Sequence, residues 1–258
     1  MTRLKNRIAV VTGVSRRKGI GAAVCLALAE EGADVFFTYS SSYERRVTGF
    51  ELEEHWADRF AGELRELGAR AGHAELDLTQ AETPARLLGA VEERLGLPAI
   101  LVNNATYSMD ADFRQLTAEL IDLHCAVNIR GTLMLTAEFA RRLEGRGSGS
   151  IVNLVSGQDK GPMPGNLAYA ATKGAVSAFT VSLAAELAPL RITVNAVDPG
   201  PTDTGWMSEE LKRELLPRSP MGRLGLPADA ARLIAFLASD DACWITGQII
   251  HSDGGFRT

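Results

Sequence analysis

Cysteine is scarce in this chain of 258 residues, and the three present form no pattern. Cys25, Cys125 and Cys243 are odd in number and far apart, which excludes a disulfide framework and a paired metal motif. They read as small buried hydrophobes in a reducing compartment. Histidine is equally sparse: His55, His73, His124 and His251 share no ligand spacing with one another or with the cysteines, so no metal site is expected. An excess of basic residues is also missing. The formal net charge of −5 argues against a nucleic-acid partner, which calls for a basic face. The start, MTRLKNRIAVVTG, holds no apolar stretch long enough for a signal peptide, and no membrane-length apolar run occurs anywhere. The expectation is a cytoplasmic protein with no membrane partner.

What is present is an alternation. Apolar runs (RIAVVT, ADVFFTY, ARAGHAEL, AILVNN, SIVNLVS, RITVNAVDPG) take turns with stretches of helical periodicity. Continuous Val/Ile/Leu runs are strands buried on both faces, as in a parallel sheet covered by helices. Right-handed crossovers then predict an α/β fold with a doubly wound parallel sheet in three αβα layers. No linker or shift of composition interrupts the series, so residues 1–258 are expected to form a single domain. One segment stands apart, the polar insertion from Ser40 to Trp56 after the second strand. It reads as a solvated loop or added helical turn, or as a wall of the cofactor or substrate entrance.

The first strand runs directly into TGVSRRKGIG, and a helix starts at its end. At this junction such sheets hold dinucleotide phosphates on backbone N–H groups and the positive end of a helix. Five residues, including Arg16, Arg17 and Lys18, separate Gly13 from Gly19. A second constellation lies in SIVNLVSGQDKGPMPGNLAYAATKG. Tyr169 and Lys173 are four apart on a predicted helix and project from one face. An ammonium beside a phenol favours the phenolate, so the spacing predicts a tyrosine pKa lowered from about 10 toward neutrality. Such a tyrosine serves as general acid to a carbonyl oxygen or general base to an alcohol. Ser156, at the end of the preceding strand, is placed to bond the same oxygen.

Over essentially its full length the chain resembles the short-chain dehydrogenase/reductase family, and within it the 3-oxoacyl-carrier-protein reductase-like members. The motifs are VVTG with GIG, LDLT at 76–79, LVNNA at 101–105, VNIRGT around Asn128, Ser156 followed by YAATK, ITVNAVDPGPTDT, and the closing FLASDDACWITGQIIHSDGGF. The resemblance implies a single NAD(P)-binding Rossmann-fold domain and an enzyme transferring hydride between a nicotinamide and a carbonyl or secondary alcohol. It makes Tyr169 the proton donor and Lys173 its activator, also bonded to the nicotinamide ribose. Ser156 then polarises the carbonyl, and Asn128 holds a water linking Lys173 to solvent. Gly13, Ser15, Arg16, Arg17, Lys18, Gly19, Ile20 and Gly21 form the phosphate loop, with Tyr39 at the end of the second strand. Asp77 and Leu78 meet the adenine, Asn104 and Ala105 the adenosine, and Pro199, Gly200 and Thr202 the nicotinamide amide.

The chain departs from the pattern twice. The phosphate loop is two residues longer than usual, and Thr106 stands where the family has a glycine, which bears on the backbone of that turn. The resemblance further implies a homotetramer built on the Tyr169 helix and the long helical region before it. The substrate is expected to be a small molecule or an acyl thioester carrying a carbonyl, under a flap from Thr202 to Pro220. Trp206, Met207 and Phe256 line a pocket or serve as core or subunit contacts, while Pro162, Pro164 and Gly165 shape the substrate loop. NADP(H) is the favoured cofactor and NAD(H) the other candidate. The end of the second strand bears no acid to accept from a ribose 2′-hydroxyl, and no carboxylate follows until Glu44, so nothing there is expected to repel a 2′-phosphate. The alternatives are a dehydrogenase of a sugar or other small alcohol, an enoyl reductase, whose tyrosine and lysine lie further apart than four residues, and a cofactor-binding regulator without turnover.

Overall fold

The computed structural model describes residues 2–48 and 54–257. Seven strands make one sheet, β1 (Ile8–Val11), β2 (Asp34–Tyr39), β3 (Ala71–Glu75), β4 (Ile100–Asn103), β5 (Gly149–Leu154), β6 (Ile192–Asp198) and β7 (Ile249–His251). Their order is β3-β2-β1-β4-β5-β6-β7, and every pairing is parallel. The reversal of winding falls between β1 and β4, which opens a crevice beyond their carboxyl ends.

Alternation along each strand divides the core in two. Ala9, Val11, Val35, Phe37, Ile100, Val102 and Val152 point to one face, where α1 (Ile20–Glu30), α3 (Trp56–Glu66) and α9 (Pro227–Leu237) cover them. Their neighbours Val10, Phe36, Leu101 and Ile151 point to the other, beneath α4 (Thr83–Arg94), α6 (Thr132–Leu143) and α7 (Leu167–Leu187). A period of two inside an all-apolar run produces this two-sided burial. Among the described residues the remaining α-helices are the short α2 (Ser41–Tyr43), α5 (Ala118–His124) and α8 (Glu209–Leu215).

A buried polar row fixes α6 and α7 to the strand ends. Asn103 Nδ2 donates to Thr136 Oγ1 and to Asn153 Oδ1, both at 2.8 Å, and Asn153 Nδ2 donates to Thr180 Oγ1 at 2.9 Å. Buried amides demand such partners, so the row sets the height of α7, and with it Tyr169 and Lys173, against β5. The helical region before β5 is broken by a π-helical stretch, Cys125–Gly131, which contains Asn128. Inserted π turns of this kind occur often at functional sites.

The insertion after β2 forms α2 and a π-helical turn, Glu44–Thr48, so the added helical turn is present. It is not a solvated one. Tyr43 packs its ring against Tyr107 at 5.8 Å, and Glu44 is buried. Residues 49–53 of the insertion lie outside the described residues.

Candidate active site

A cleft of about 730 Å³ opens at the carboxyl ends of β1, β2 and β4. Gly13, Ser15, Arg16, Gly19, Ile20 and Gly21 form its floor, Tyr39, Ser40, Tyr43 and Glu44 one wall, and Asp77, Leu78, Asn104 and Ala105 the other. The loop has no room for larger residues. Gly13 has φ +74°, and a Cβ there would lie 2.6 Å from Ala105 Cα. Asn104 Nδ2 donates to Thr12 O at 2.8 Å and Gly13 O at 2.9 Å, and Thr12 Oγ1 accepts from the N–H groups of Asn104 and Ala105. Asn104 thus acts as a clamp between the β1 and β4 loops. The two added residues close into a turn through Gly19 N–H to Arg16 O at 3.0 Å.

A dinucleotide fits these residues. Helix α1 begins after Gly19 with no side-chain cap and no acid in its first turn, and Gly19, Ile20 and Gly21 border the cleft. Uncapped N–H groups at the positive end of a helix suit a pyrophosphate. Of the three basic residues, only Arg16 borders the cleft. Arg17 Nε pairs with Glu63 at 2.8 Å, and Lys18 lies by Gly205, with its charge acting on Asp203. The expectation that nothing there would repel a 2′-phosphate is corrected: Glu44, the first carboxylate after β2, turns into the cleft with its Oε2 3.5 Å from Arg16 Nε. The helical turn after β2 folds it inward, which counting from the strand end does not reveal.

Ser156, Tyr169 and Lys173 lie together beyond β5, outside the lining of this cleft. Ser156 hydrogen-bonds the Tyr169 phenol. Lys173 is 4% exposed; its Nζ donates to Leu154 O at 2.7 Å and lies 5.4 Å from the centre of the Tyr169 ring. The lowered tyrosine pKa is therefore corrected. Burial pushes the phenol up to about 12, opposed by the Ser156 bond and assisted by the charge of Asp198 and by Tyr43. Burial also brings the Lys173 ammonium down to about 8. The lysine faces the ring with its Nζ committed to a carbonyl, so desolvation outweighs its attraction for a phenolate.

Asn128 is fully engaged. Its Oδ1 accepts from Tyr107 N at 2.7 Å and Thr106 Oγ1 at 3.1 Å, and its Nδ2 donates to Tyr107 O at 2.8 Å and Thr172 Oγ1 at 3.0 Å. Thr172 Oγ1 in turn donates to Tyr169 O at 2.8 Å, so Asn128 ties the Tyr107 loop to the tyrosine helix. Thr106, placed where the family has glycine, has a negative φ and uses its hydroxyl in this network. Pro199, Gly200 and Thr202 also lie outside the cleft lining. Thr202 Oγ1 donates to Pro199 O at 3.0 Å and closes their loop, and a Cβ on Gly200, at φ +60°, would lie 2.4 Å from Asp253 Cβ. In the flap, Trp206 is mostly exposed and donates to Thr202 O, Met207 is buried, and Arg218 stacks on Phe256.

Tyr43 and Glu44 lie in the insertion that the sequence offered as a wall of the entrance, without singling them out, and the cluster around His251 was missed. In that cluster His251 Nδ1 meets Asp198 Oδ2 at 2.8 Å and Nε2 meets Asp159 at 3.4 Å, with Lys160 bonded to Asp253. A donor set that already holds an ammonium is an ion-pair network. Its central partners, Asp198 and His251, lie 53 residues apart and share no motif.

Residues 13–257 match the family model described as enoyl-(acyl carrier protein) reductase. An uncharacterized oxidoreductase of Bacillus subtilis, YjdA, is 49% identical over 258 residues, 99% of each chain. The 3-oxoacyl-[acyl-carrier-protein] reductase FabG of Staphylococcus aureus is 35% identical over 96% of each. Among solved structures, a gluconate 5-dehydrogenase from Burkholderia cenocepacia, in complex with NADP and tartrate, superposes with a TM-score of 0.86 at 30% identity, over 98% of this chain and 96% of that one. A short-chain dehydrogenase/reductase mutant from Serratia marcescens reaches 0.87 at 31% identity, over 99% and 100%. The chain belongs to the short-chain dehydrogenase/reductase family and is an NAD(P)-dependent oxidoreductase.

Proposed function

We propose that this enzyme reduces a carbonyl with NADPH, its substrate a small ketone or a 3-oxoacyl thioester. The observation that carries the reading is the phenol of Tyr169, bonded to Ser156, with Lys173 buried beside its ring. A phenol held protonated at neutral pH is the form that gives a proton to a carbonyl oxygen. A bound nicotinamide cofactor supplies the hydride. Ser156 O–H holds the carbonyl oxygen against the Tyr169 hydroxyl, Tyr169 releases its proton to that oxygen, and the Lys173 ammonium stabilises the phenolate left behind. Asn128 keeps the Tyr169 helix and the Tyr107 loop in register. The spacing of four residues between Tyr169 and Lys173 supports reduction of a carbonyl over that of an enoyl bond.

Arg16, which lines the same cleft as Tyr39 and Ser40, would meet a 2′-phosphate, which supports NADPH over NADH. Oxidation of a sugar acid or similar alcohol is the second reading, favoured by the likeness to the gluconate 5-dehydrogenase. We read residues 1–258 as one domain of a cytoplasmic homotetramer. Ile121, Leu123, Met134 and Val181, exposed on α5, α6 and α7, would supply its contact. Among the described residues no helix is long and apolar enough to cross a membrane. NADPH oxidation against ketones and 3-oxoacyl thioesters, beside NADP⁺ reduction against sugars and sugar acids, tests the reading. Turnover confined to 3-oxoacyl thioesters and ketones supports it, turnover confined to sugars supports the second reading, and cofactor binding without turnover overturns both.

A further inference from the structure

The serine loop is fastened to the tyrosine helix by a side chain that the proposed chemistry does not use. β5 ends at Leu154, and Val155 N still donates to Val197 O of β6 at 2.9 Å. Ser156 comes next, and its N–H turns to a side chain, donating to Gln158 Oε1 at 3.1 Å. The other end of the same amide, Nε2, donates to Ser177 Oγ at 3.0 Å. A backbone N–H can only donate, so the amide oxygen must face Ser156 and the amide nitrogen Ser177. Ser177 is buried on α7, four residues beyond Lys173 and eight beyond Tyr169, so the three share one face of that helix. Lys160 N donates to Gly157 O at 3.0 Å, which closes a turn with Gln158 inside it. Past Gln158, Asp159 meets His251 and Lys160 bonds Asp253, so the turn is held at both ends.

We infer that Gln158 positions Ser156: its amide fixes the serine on the β5 loop against the helix face that carries Tyr169 and Lys173. The inference rests on Ser156 being the residue that holds the carbonyl oxygen against Tyr169. The two hydroxyls come from different elements, and both must reach one oxygen at once. Their mutual bond cannot keep them in place during the reaction, because each hydroxyl turns to the substrate. The bond from Ser156 N–H to Gln158 involves no reacting atom and persists through the whole cycle. Anchored on Ser177, it makes the serine's place a property of α7, the element that also sets the tyrosine and the lysine. Catalytic groups held this way need no reorganisation when the carbonyl arrives. Gln158 is a positioning residue, with both ends of its amide committed to the protein.

Gln158→Leu keeps the bulk of the side chain and removes both bonds. With NADPH and ethyl acetoacetate, or the panel carbonyl that the parent reduces fastest, kcat should fall about tenfold, less than the roughly 10²-fold that a misplacement of about 1 Å can cost. The Kd for NADPH should stay unchanged by fluorescence titration. The decisive comparison repeats the substitution in Ser156→Ala, where kcat should change less than about twofold, because no hydroxyl remains to be positioned. Ser177→Ala removes only the anchor; it should cost about threefold in kcat and add nothing to Gln158→Leu. Amide hydrogen exchange gives a reading independent of turnover, in which the Ser156 N–H of Gln158→Leu should exchange about tenfold faster or more. A Gln158→Leu loss of equal size in both backgrounds is a general packing defect and overturns the inference. Turnover within about twofold of the parent overturns it as well, as does an unmoved Ser156 exchange rate. If Gln158→Leu does not fold, Ser177→Ala decides, and a loss that persists in Ser156→Ala overturns the inference. Undiminished turnover by Ser156→Ala would instead refute the serine's part in the proposed function, while the exchange rate still shows whether Gln158 holds the loop.

Discussion

Arg16→Ala separates residues that the sequence alone presents as equivalent. Arg16 borders the cleft with its side chain 27% exposed, whereas Arg17 is paired with Glu63 and Lys18 lies beside the flap. A guanidinium on a doubly charged phosphate at a partly shielded site contributes about 1.5–3 kcal/mol. Glu44, 3.5 Å away, already compensates Arg16 and repels the phosphate, so the lower part of that range applies. At roughly a factor of ten per 1.4 kcal/mol, Arg16→Ala should raise KM for NADPH about tenfold. KM for NADH should change less than about twofold, because no 2′-phosphate is present to lose the contact. Glu44→Gln should act in the opposite sense and sharpen the preference for NADPH. The assay is steady-state KM for both cofactors at one fixed carbonyl concentration, across Arg16→Ala, Arg17→Ala, Lys18→Ala and Glu44→Gln. Equal KM losses for both cofactors would refute the reasoning, as would losses for Arg17→Ala or Lys18→Ala matching those for Arg16→Ala.

Gly13→Ala places a Cβ 2.6 Å from backbone at φ +74°, a conformation costing about 1–3 kcal/mol by itself. Calorimetry should show Tm lowered by about 5 °C or more, with NADPH affinity lost alongside it. Asn128→Ala removes four hydrogen bonds and should destabilise by about 2–4 kcal/mol in urea, whereas loss of a water contact alone would leave the midpoint unchanged. Lys173, brought down to about 8 by burial, binds its proton less tightly folded than unfolded, so between about 8 and 10.5 unfolding takes up a proton and stability rises with pH. The stability advantage expected for Lys173→Met near neutrality should therefore shrink across that window; a constant difference would show that the ammonium is not penalised by burial.

The strands were legible because burial on both faces writes itself as unbroken apolar runs, and Phe36 and Phe37 fill opposite sides of the sheet, as a period of two requires. Tyr169 and Lys173 were legible because four residues make one helical turn. Their proton affinities were not, since spacing says nothing of desolvation, and burial moved both groups away from the charged pair that the spacing implied. Tyr43 and Glu44 were hidden by a polar neighbourhood that looks solvated until the turn after β2 folds it against Tyr107. The link from Asp159 through His251 to Asp198 joins three distant segments, and only the closing of the sheet by β7 brings them together.

The proton donor is the centre of the account, and Tyr169→Phe tests it most directly. The variant keeps the ring beside Lys173 and removes only the hydroxyl that Ser156 holds. With any carbonyl substrate that the parent enzyme reduces, the account predicts a kcat lower by roughly 10²-fold or more, with the Kd for NADPH unchanged by fluorescence titration. A purified variant that turns over within a few-fold of the parent would contradict it.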